Sequence, residues 1–191
     1  MNKFFDSLRR FWKFLNEDSW KSWLVSLILA FLIIKFIFFP TLGFATGSIL
    51  PLVVVESCSM YHGTSNFDLW WEQNSAWYES RGINKTDFED FSFKSGLNKG
   101  DIVLVYGRGN YEVGDIIIFK SDFTNPIIHR MIDDGPIATK GDNNFGQLVQ
   151  ERNITEDKII GKAAARVPGL GWIKLIFFEG TRPSEQRGFC R

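Results

Sequence analysis

The segment Ser57-Cys58-Ser59-Met60 follows the apolar run Leu52-Val53-Val54-Val55. A strand that ends in small polar residues can present an exposed hydroxyl, although serines at strand ends are ordinarily turn residues. His129 stands inside the apolar stretch Ile127-Ile128-His129-Arg130, where a histidine held by structural hydrogen bonds is the simpler reading taken alone. Asp142 lies in the polar turn Thr139-Lys140-Gly141-Asp142-Asn143-Asn144, with a strand before it and no apolar run after it. The pairs Gly100-Asp101 and Gly114-Asp115, by contrast, open strands and read as structural. The three residues mean more together than apart. A serine hydroxyl becomes a nucleophile when a base takes its proton, and that base needs a third group to fix its tautomer. Ser59, His129 and Asp142 supply one of each.

Imidazole chemistry has two candidates, since the chain holds two histidines. His62 follows Ser59 by three residues and would have difficulty reaching that hydroxyl from the same extended segment. Lys140 is the alternative base of a serine–lysine enzyme and reads as solvated or structural. Two cysteines, Cys58 and Cys190, build neither a disulfide framework nor a four-cysteine zinc site. The residues offer no metal-ligand spacing and no phosphate-cradling glycine loop, so no cofactor or metal is implied. The formal net charge is +0, which argues against a nucleic-acid partner. With 45% apolar and 23% charged residues, neither disorder nor collagen-like repetition fits.

These groups must be positioned by a domain and held somewhere. Trp23 to Phe39 contains 15 apolar residues, interrupted only by Ser26 and Lys35. With Ser22, residues 22–39 make a transmembrane helix of ~27 Å, and Lys35 near its end can snorkel. Pro40 reads as its stop signal. A cleaved secretory signal would have a shorter apolar region, so an uncleaved anchor is preferred. Five basic residues (Lys3, Arg9, Arg10, Lys13 and Lys21) precede the span, and none occurs between Phe36 and Ser80. The positive-inside rule then predicts a single-pass cell-membrane protein with a cytoplasmic N-terminus and an extracytoplasmic domain. Residues 1–21, with Phe4, Phe5, Leu8, Phe11, Trp12 and Leu15 at helical spacing, read as an amphipathic segment on the inner leaflet.

Residues 40–180 read as a β-rich domain: strands are expected at Ile102–Tyr106, Ile116–Phe119, Ile127–Ile132 and Ile159–Val167. Short strands at such spacing predict a mainly β fold, an antiparallel barrel or sandwich. The aromatic-rich stretch 61–98 lacks strand alternation and is expected to be a largely helical insertion, packed over the sheet rather than into lipid. The apolar residues 172–178 are too few to span a membrane; they pack on the domain or dip into the interface. Residues 181–191 read as a polar tail. Asn84-Lys85-Thr86 and Asn153-Ile154-Thr155 match the glycosylation acceptor pattern, which also arises by chance.

Six short motifs agree in order with those of type I signal peptidases: Ser57-Cys58-Ser59-Met60, Gly100-Asp101-Ile102-Val103, Gly114-Asp115, His129-Arg130, Lys140-Gly141-Asp142-Asn143-Asn144 and Ile160-Gly161-Lys162. Over roughly residues 20 to 175 the chain resembles the serine–histidine branch of archaea and the endoplasmic reticulum (peptidase family S26). The resemblance implies Ser59 as nucleophile, His129 as base and Asp142 as the acid. It also implies an oxyanion hole from the Ser59 N–H and the Ser57 hydroxyl. The activity it implies is removal of signal peptides from translocated preproteins after small residues, through an acyl-enzyme. The partners it implies are preprotein signal peptides and the lipid bilayer; it leaves accessory subunits open. The sequence departs from the family pattern where a second acid is common, six residues beyond the first. Leu148 stands there, so Asp142 acts alone or with Asp133, Asp134 or Glu151. A noncatalytic anchored β-module, or a processing protease with one dedicated substrate, is the alternative.

Overall fold

The computed structural model describes residues 2–63 and 66–190. Met1, Thr64, Ser65 and Arg191, which fall in the amphipathic segment, the insertion and the tail, lie outside the described residues. The chain forms two compact units, Met1–Ala45 and Thr46–Arg191.

The first unit is helical. Helix α1 (Asn2–Leu15) leaves Phe4, Phe5, Leu8, Phe11 and Trp12 exposed, as an interfacial helix would. Helix α2 (Trp20–Ile33) starts at Ser19, whose side chain caps the Ser22 amide. It runs on through a π-helical turn (Ile34–Phe38) into α3 (Phe39–Thr46). Trp20–Thr46 is thus a continuous helix of 27 residues, long and apolar enough to cross a membrane. Pro40 does not end it, contrary to expectation. A proline lacks an N–H and crowds the carbonyl four residues back, and the wider π-helical turn immediately before it accommodates both defects.

The second unit is built on one antiparallel six-stranded sheet in the order β1-β2-β6-β3-β4-β5. The strands are β1 (Leu52–Val54), β2 (Ile102–Tyr106), β3 (Ile116–Phe119), β4 (Ile127–Asp134), β5 (Ile137–Lys140) and β6 (Ile159–Val167). The mainly β, antiparallel expectation is borne out. Every residue of β3 is buried, and alternation divides its side chains between two apolar clusters. Ile116 and Ile118 join Val103, Val105, Leu97 and Met60, while Ile117 and Phe119 join Ile127, Met131 and Ile154.

The insertion is helical, as expected. Helix α4 (Phe67–Glu79) begins at Asn66, and α5 (Lys85–Asp90) begins with a reciprocal Asn84–Asp87 capping box. Trp70, Trp71, Tyr78, Ile83 and Phe88 form a third buried cluster with Ile132 of β4. These tryptophans therefore pack against protein rather than lipid. At the C-terminal side, α6 (Trp172–Leu175) buries Leu175 and leaves Ile173 exposed, as are Ile176 and Phe177 just after it.

Candidate active site

Ser59 sits in a tight turn just past β1, closed by a hydrogen bond from the Tyr61 amide to the Cys58 carbonyl (3.1 Å). The turn is docked onto the segment after β5. The Asn143 amide donates to the Ser59 carbonyl (2.7 Å), and Asn143 Nδ2 donates to the Cys58 carbonyl (3.1 Å). Gly141 is required at this junction: a Cβ there would lie 2.9 Å from the Ser59 carbonyl oxygen and 2.7 Å from His129 Nε2.

His129 comes from the middle of β4, paired with Ile117 of the central strand β3. Its Nε2 lies 2.9 Å from Ser59 Oγ. Its Nδ1 makes a very short contact with Glu151 Oε1. A carboxylate can only accept, so Nδ1 carries the proton and the Nε2 lone pair faces the hydroxyl. Glu151 closes the short 3-10 turn Val149–Glu151 and is fully buried. Its carboxylate also accepts from the Leu148 amide and from Thr139 Oγ1 of β5 (3.4 Å). Ser59, His129 and Glu151 thus form an unbroken chain of donors and acceptors.

Asp142 is close by but differently engaged. His129 and Arg130 are neighbours on one strand, so their side chains leave opposite faces. Asp142 lies on the Arg130 side. Arg130 Nη2 and Nε donate to Asp142 Oδ2 and Oδ1 at 2.7 and 3.0 Å, Tyr78 donates its hydroxyl to Oδ1 at 3.0 Å, and His62 Nε2 meets Oδ2 at 2.9 Å. The contact between Asp142 and His129 expected from sequence is not made; Glu151 occupies that place. Burial alone would raise the Asp142 pKa, but the Arg130 guanidinium and the His62 hydrogen bond outweigh it and hold the carboxyl well below the usual carboxylate range. Arg130 is itself fully buried and donates further to the carbonyls of Ser92, Phe93 and Gly114. Asp133 and Asp134 are exposed at the end of β4, and neither contacts His129.

The remaining candidates fall into place. His62 is not at the Ser59 hydroxyl; it stacks on Trp70 with ring centroids 3.7 Å apart. Lys140 is buried rather than solvated, donating to the carbonyls of Gly141 (3.0 Å) and Asp142 (3.3 Å). Burial pulls its pKa down to about 8, despite the opposing pull of Asp142 and Glu151. Ser57 Oγ lies 3.1 Å from Ser59 Oγ. Among the described residues the Ser59 N–H donates to no backbone carbonyl. Cys58, adjacent to the nucleophile candidate, is disulfide-bonded to Cys190 and so is not a free thiol. No group of three or more His, Cys, Asp or Glu placed to hold a metal ion occurs among the described residues.

Sequence reasoning named Glu151 only as a possible helper. The family spacing pointed to position 148, whereas the acid here comes three residues later, after a turn that folds it back. The one available signal is that Glu151 is the first acid after Asp142.

Fold and site together make a mainly β protein with a helix long and apolar enough to cross a membrane and a hydrogen-bonded serine–histidine–carboxylate array. The family-model comparison returned no match. Individual relatives are recognisable, however: the chain is a homologue of the catalytic subunits of signal peptidase complexes. It is 26% identical over 160 residues to the signal peptidase complex catalytic subunit SEC11 of Scheffersomyces stipitis, covering 76% of each chain. Against the SEC11 subunit of Lachancea thermotolerans it is 30% identical over 104 residues, 46% of this chain and 62% of the relative. The subunit of Dictyostelium discoideum matches at 33% over 95 residues, 42% of this chain and 53% of the relative. The resemblance drawn from the six motifs is borne out.

Proposed function

We propose that this protein is a membrane-anchored serine endopeptidase that removes signal peptides from translocated preproteins. Relatives named as catalytic subunits favour an enzyme over a noncatalytic β-module. The observation that carries the serine mechanism is the 2.9 Å contact between Ser59 Oγ and His129 Nε2, with Glu151 buried behind the ring.

Neutral His129 takes the Ser59 proton as Oγ attacks the scissile carbonyl. Glu151 holds the Nδ1–H tautomer and stabilises the imidazolium that forms. The Ser59 N–H, aided by the Ser57 hydroxyl, receives the oxyanion. The imidazolium then returns its proton to the leaving amine, and water, activated by the same base, hydrolyses the acyl-enzyme. In this reading Asp142 orders the site through Arg130, and the backbone of Gly141 and Asn143 transmits that order to the serine turn. The substrate binds extended against the free edge of the sheet at β1, with small side chains entering shallow pockets.

The basic residues before the span argue for a cytoplasmic N-terminus. The Cys58–Cys190 disulfide fits a domain on the oxidising side of the membrane. Like the relatives named as subunits of a complex, the chain is proposed to work with accessory subunits. The test is cleavage of a preprotein by the protein purified from a detergent extract with whatever remains bound. Cleavage at the signal-peptide junction is expected, at least 10³-fold slower with Ser59→Ala. Equal cleavage by the variant would move the activity elsewhere. Protonation of His129 removes the base, so acidification should reduce the rate; a flat profile would argue against histidine.

A further inference from the structure

The C-terminal residues read from sequence as a polar tail are bound back to the domain at four places. Lys99, with its side chain almost wholly buried, donates to Glu179 Oε2 (3.0 Å) and to the Gln186 carbonyl (2.7 Å). The Phe189 ring lies 4.5 Å from that of Trp172, whose Nε1 donates to the Lys99 carbonyl (3.1 Å). Arg182 grips Glu56 twice: Nη1 donates to its backbone carbonyl (2.9 Å) and Nη2 to its Oε2 (2.8 Å). Finally, Cys190 is joined to Cys58 across a sequence separation of 132.

Two of these four anchors fall on the few residues that lead to Ser59. Its hold on the sheet is short, although the buried Met60 just after Ser59 is tied to the domain by the Leu97 amide (2.9 Å). Strand β1 is three residues long, lies at the sheet edge and pairs only with β2. Beyond Val55, which still pairs with the loop before β2, the chain leaves the ladder. Asn143 holds Cys58 and Ser59 from one side, through their carbonyls. From the other side Arg182 holds both the backbone and the side chain of Glu56, whose carboxylate also accepts from Lys174 (2.9 Å) and Asn125 (3.1 Å), and Cys190 holds Cys58.

We propose that the segment Glu179–Cys190 is a strap that positions the nucleophile, with Arg182 and Cys190 as positioning residues for Ser59. The proposal rests on the peptidase reading above and adds a control point to it. Attack needs Oγ, Nε2 and the oxyanion donor in register, and a displacement of about 1 Å is enough to lose most of the rate. Releasing the strap leaves His129 and Glu151 in place and loosens the serine turn, which then rests on Asn143 and Met60. The loss should therefore appear in kcat, with KM little changed.

The experiment measures kcat and KM for preprotein cleavage, alongside thermal stability, for wild type, Ser59→Ala, Cys190→Ser, Arg182→Ala and Arg182→Lys. Assays run well below every unfolding temperature. Cys190→Ser and Arg182→Ala should each lower kcat by about tenfold or more, with KM within about twofold. Arg182→Lys should fall between, because an ammonium cannot hold both Glu56 acceptors in a fork. Should Cys190→Ser fail to fold, wild type is reduced with dithiothreitol, which converts the disulfide to two thiols and itself to the cyclic disulfide. Reduction should bring wild type to the low kcat, and restored thiol pairing should recover it. Unchanged kcat in Cys190→Ser or in fully reduced wild type, with a lowered unfolding temperature, would reduce the strap to an ordinary stabilising crosslink and overturn the proposal. Equal cleavage by Ser59→Ala would instead strike the peptidase reading and take the strap's role with it. Cleavage lost in Ser59→Ala but retained in Cys190→Ser would sink the strap alone.

Discussion

Two buried histidine–carboxylate pairs lie in this domain, and they are built for different work. In the first, His129 meets Glu151, and its far nitrogen meets a serine hydroxyl. In the second, His62 meets Asp142, and its ring is stacked on Trp70. His62 Nδ1 is buried with no hydrogen-bond partner among the described residues. The carboxylates differ as much as the rings. Asp142 is matched by a fully buried guanidinium and a tyrosine hydroxyl, so its charge is already answered. Glu151 meets only neutral donors besides His129, a backbone amide and a threonine hydroxyl. Among the described residues no guanidinium or ammonium is hydrogen-bonded to Glu151, as Arg130 is to Asp142. In the proposed mechanism the same two residue types give a base in one place and a fastening in the other, decided by what stands on the far side of each.

Substituting the rings should break the comparison open most widely. His129→Ala is expected to lower kcat by about 10⁴ or more, far beyond any accompanying loss of stability. His62→Ala should retain most of the rate and lose stability, since it leaves Asp142 short of a partner and opens a cavity against Trp70. Preprotein cleavage set beside denaturant unfolding checks both. Loss of kcat in a stably folded His62→Ala would merge the two pairs into one machine.

The carboxylates come next in size. Glu151→Gln should cost about 10³–10⁴ in kcat, because an amide can present its N–H to Nδ1 and favour the wrong tautomer. Asp142→Asn should act on the fold, leaving Arg130 buried against an incomplete partner at roughly 3–5 kcal/mol. The sign with pH follows. The folded-state pKa of Asp142 is depressed, so its contribution is present above the unfolded carboxylate range near pH ~4 and drains away as pH falls further. Wild-type stability should thus show an acid limb that Asp142→Asn lacks. A well-folded Asp142→Asn that has lost catalysis while Glu151→Gln retains it would restore Asp142 as the acid of the reaction.

Much of this arrangement is legible in the sequence. Strand β6 has the bounds expected from β-branched runs and punctuation, and β2 and β3 do as well. Ser59 and His129 could be paired because one residue type needed the other. The acid could not be chosen that way. Alternation along β4 decides it, sending Arg130 to Asp142 and His129 to Glu151, and a linear motif carries no record of which face a distant turn will reach. The Cys58–Cys190 bond was hidden for a related reason: two cysteines far apart in sequence carry no spacing signal. Pro40 misled because its usual meaning as a helix stop is a statement about α-helical hydrogen bonding, and a π-helical turn changes that pattern.

The smallest expected effect concerns Lys140, which lies between His129 and Asp142 in sequence and belongs to neither pair. It is paired with Arg130 across the β4–β5 ladder, and its ammonium sits 4.9 Å from the Trp77 ring and 5.0 Å from that of Tyr78. A group whose pKa is lowered to about 8 in the folded protein binds fewer protons there than in the unfolded chain, whose lysines titrate near pH ~10.4. Between those values the unfolded state holds the extra proton, so stability rises with pH across that window. The gain should be about 1–3 kcal/mol before the buried Tyr78 hydroxyl, whose pKa is raised well above the ordinary tyrosine value, begins to work the other way. Lys140→Met should abolish the alkaline rise while leaving the acid limb set by Asp142 and the rate set by His129 untouched. Denaturant melts from pH 7 to 10 check the first part. A large loss of kcat in this variant would make Lys140 a participant in catalysis and return the serine–lysine reading to contention.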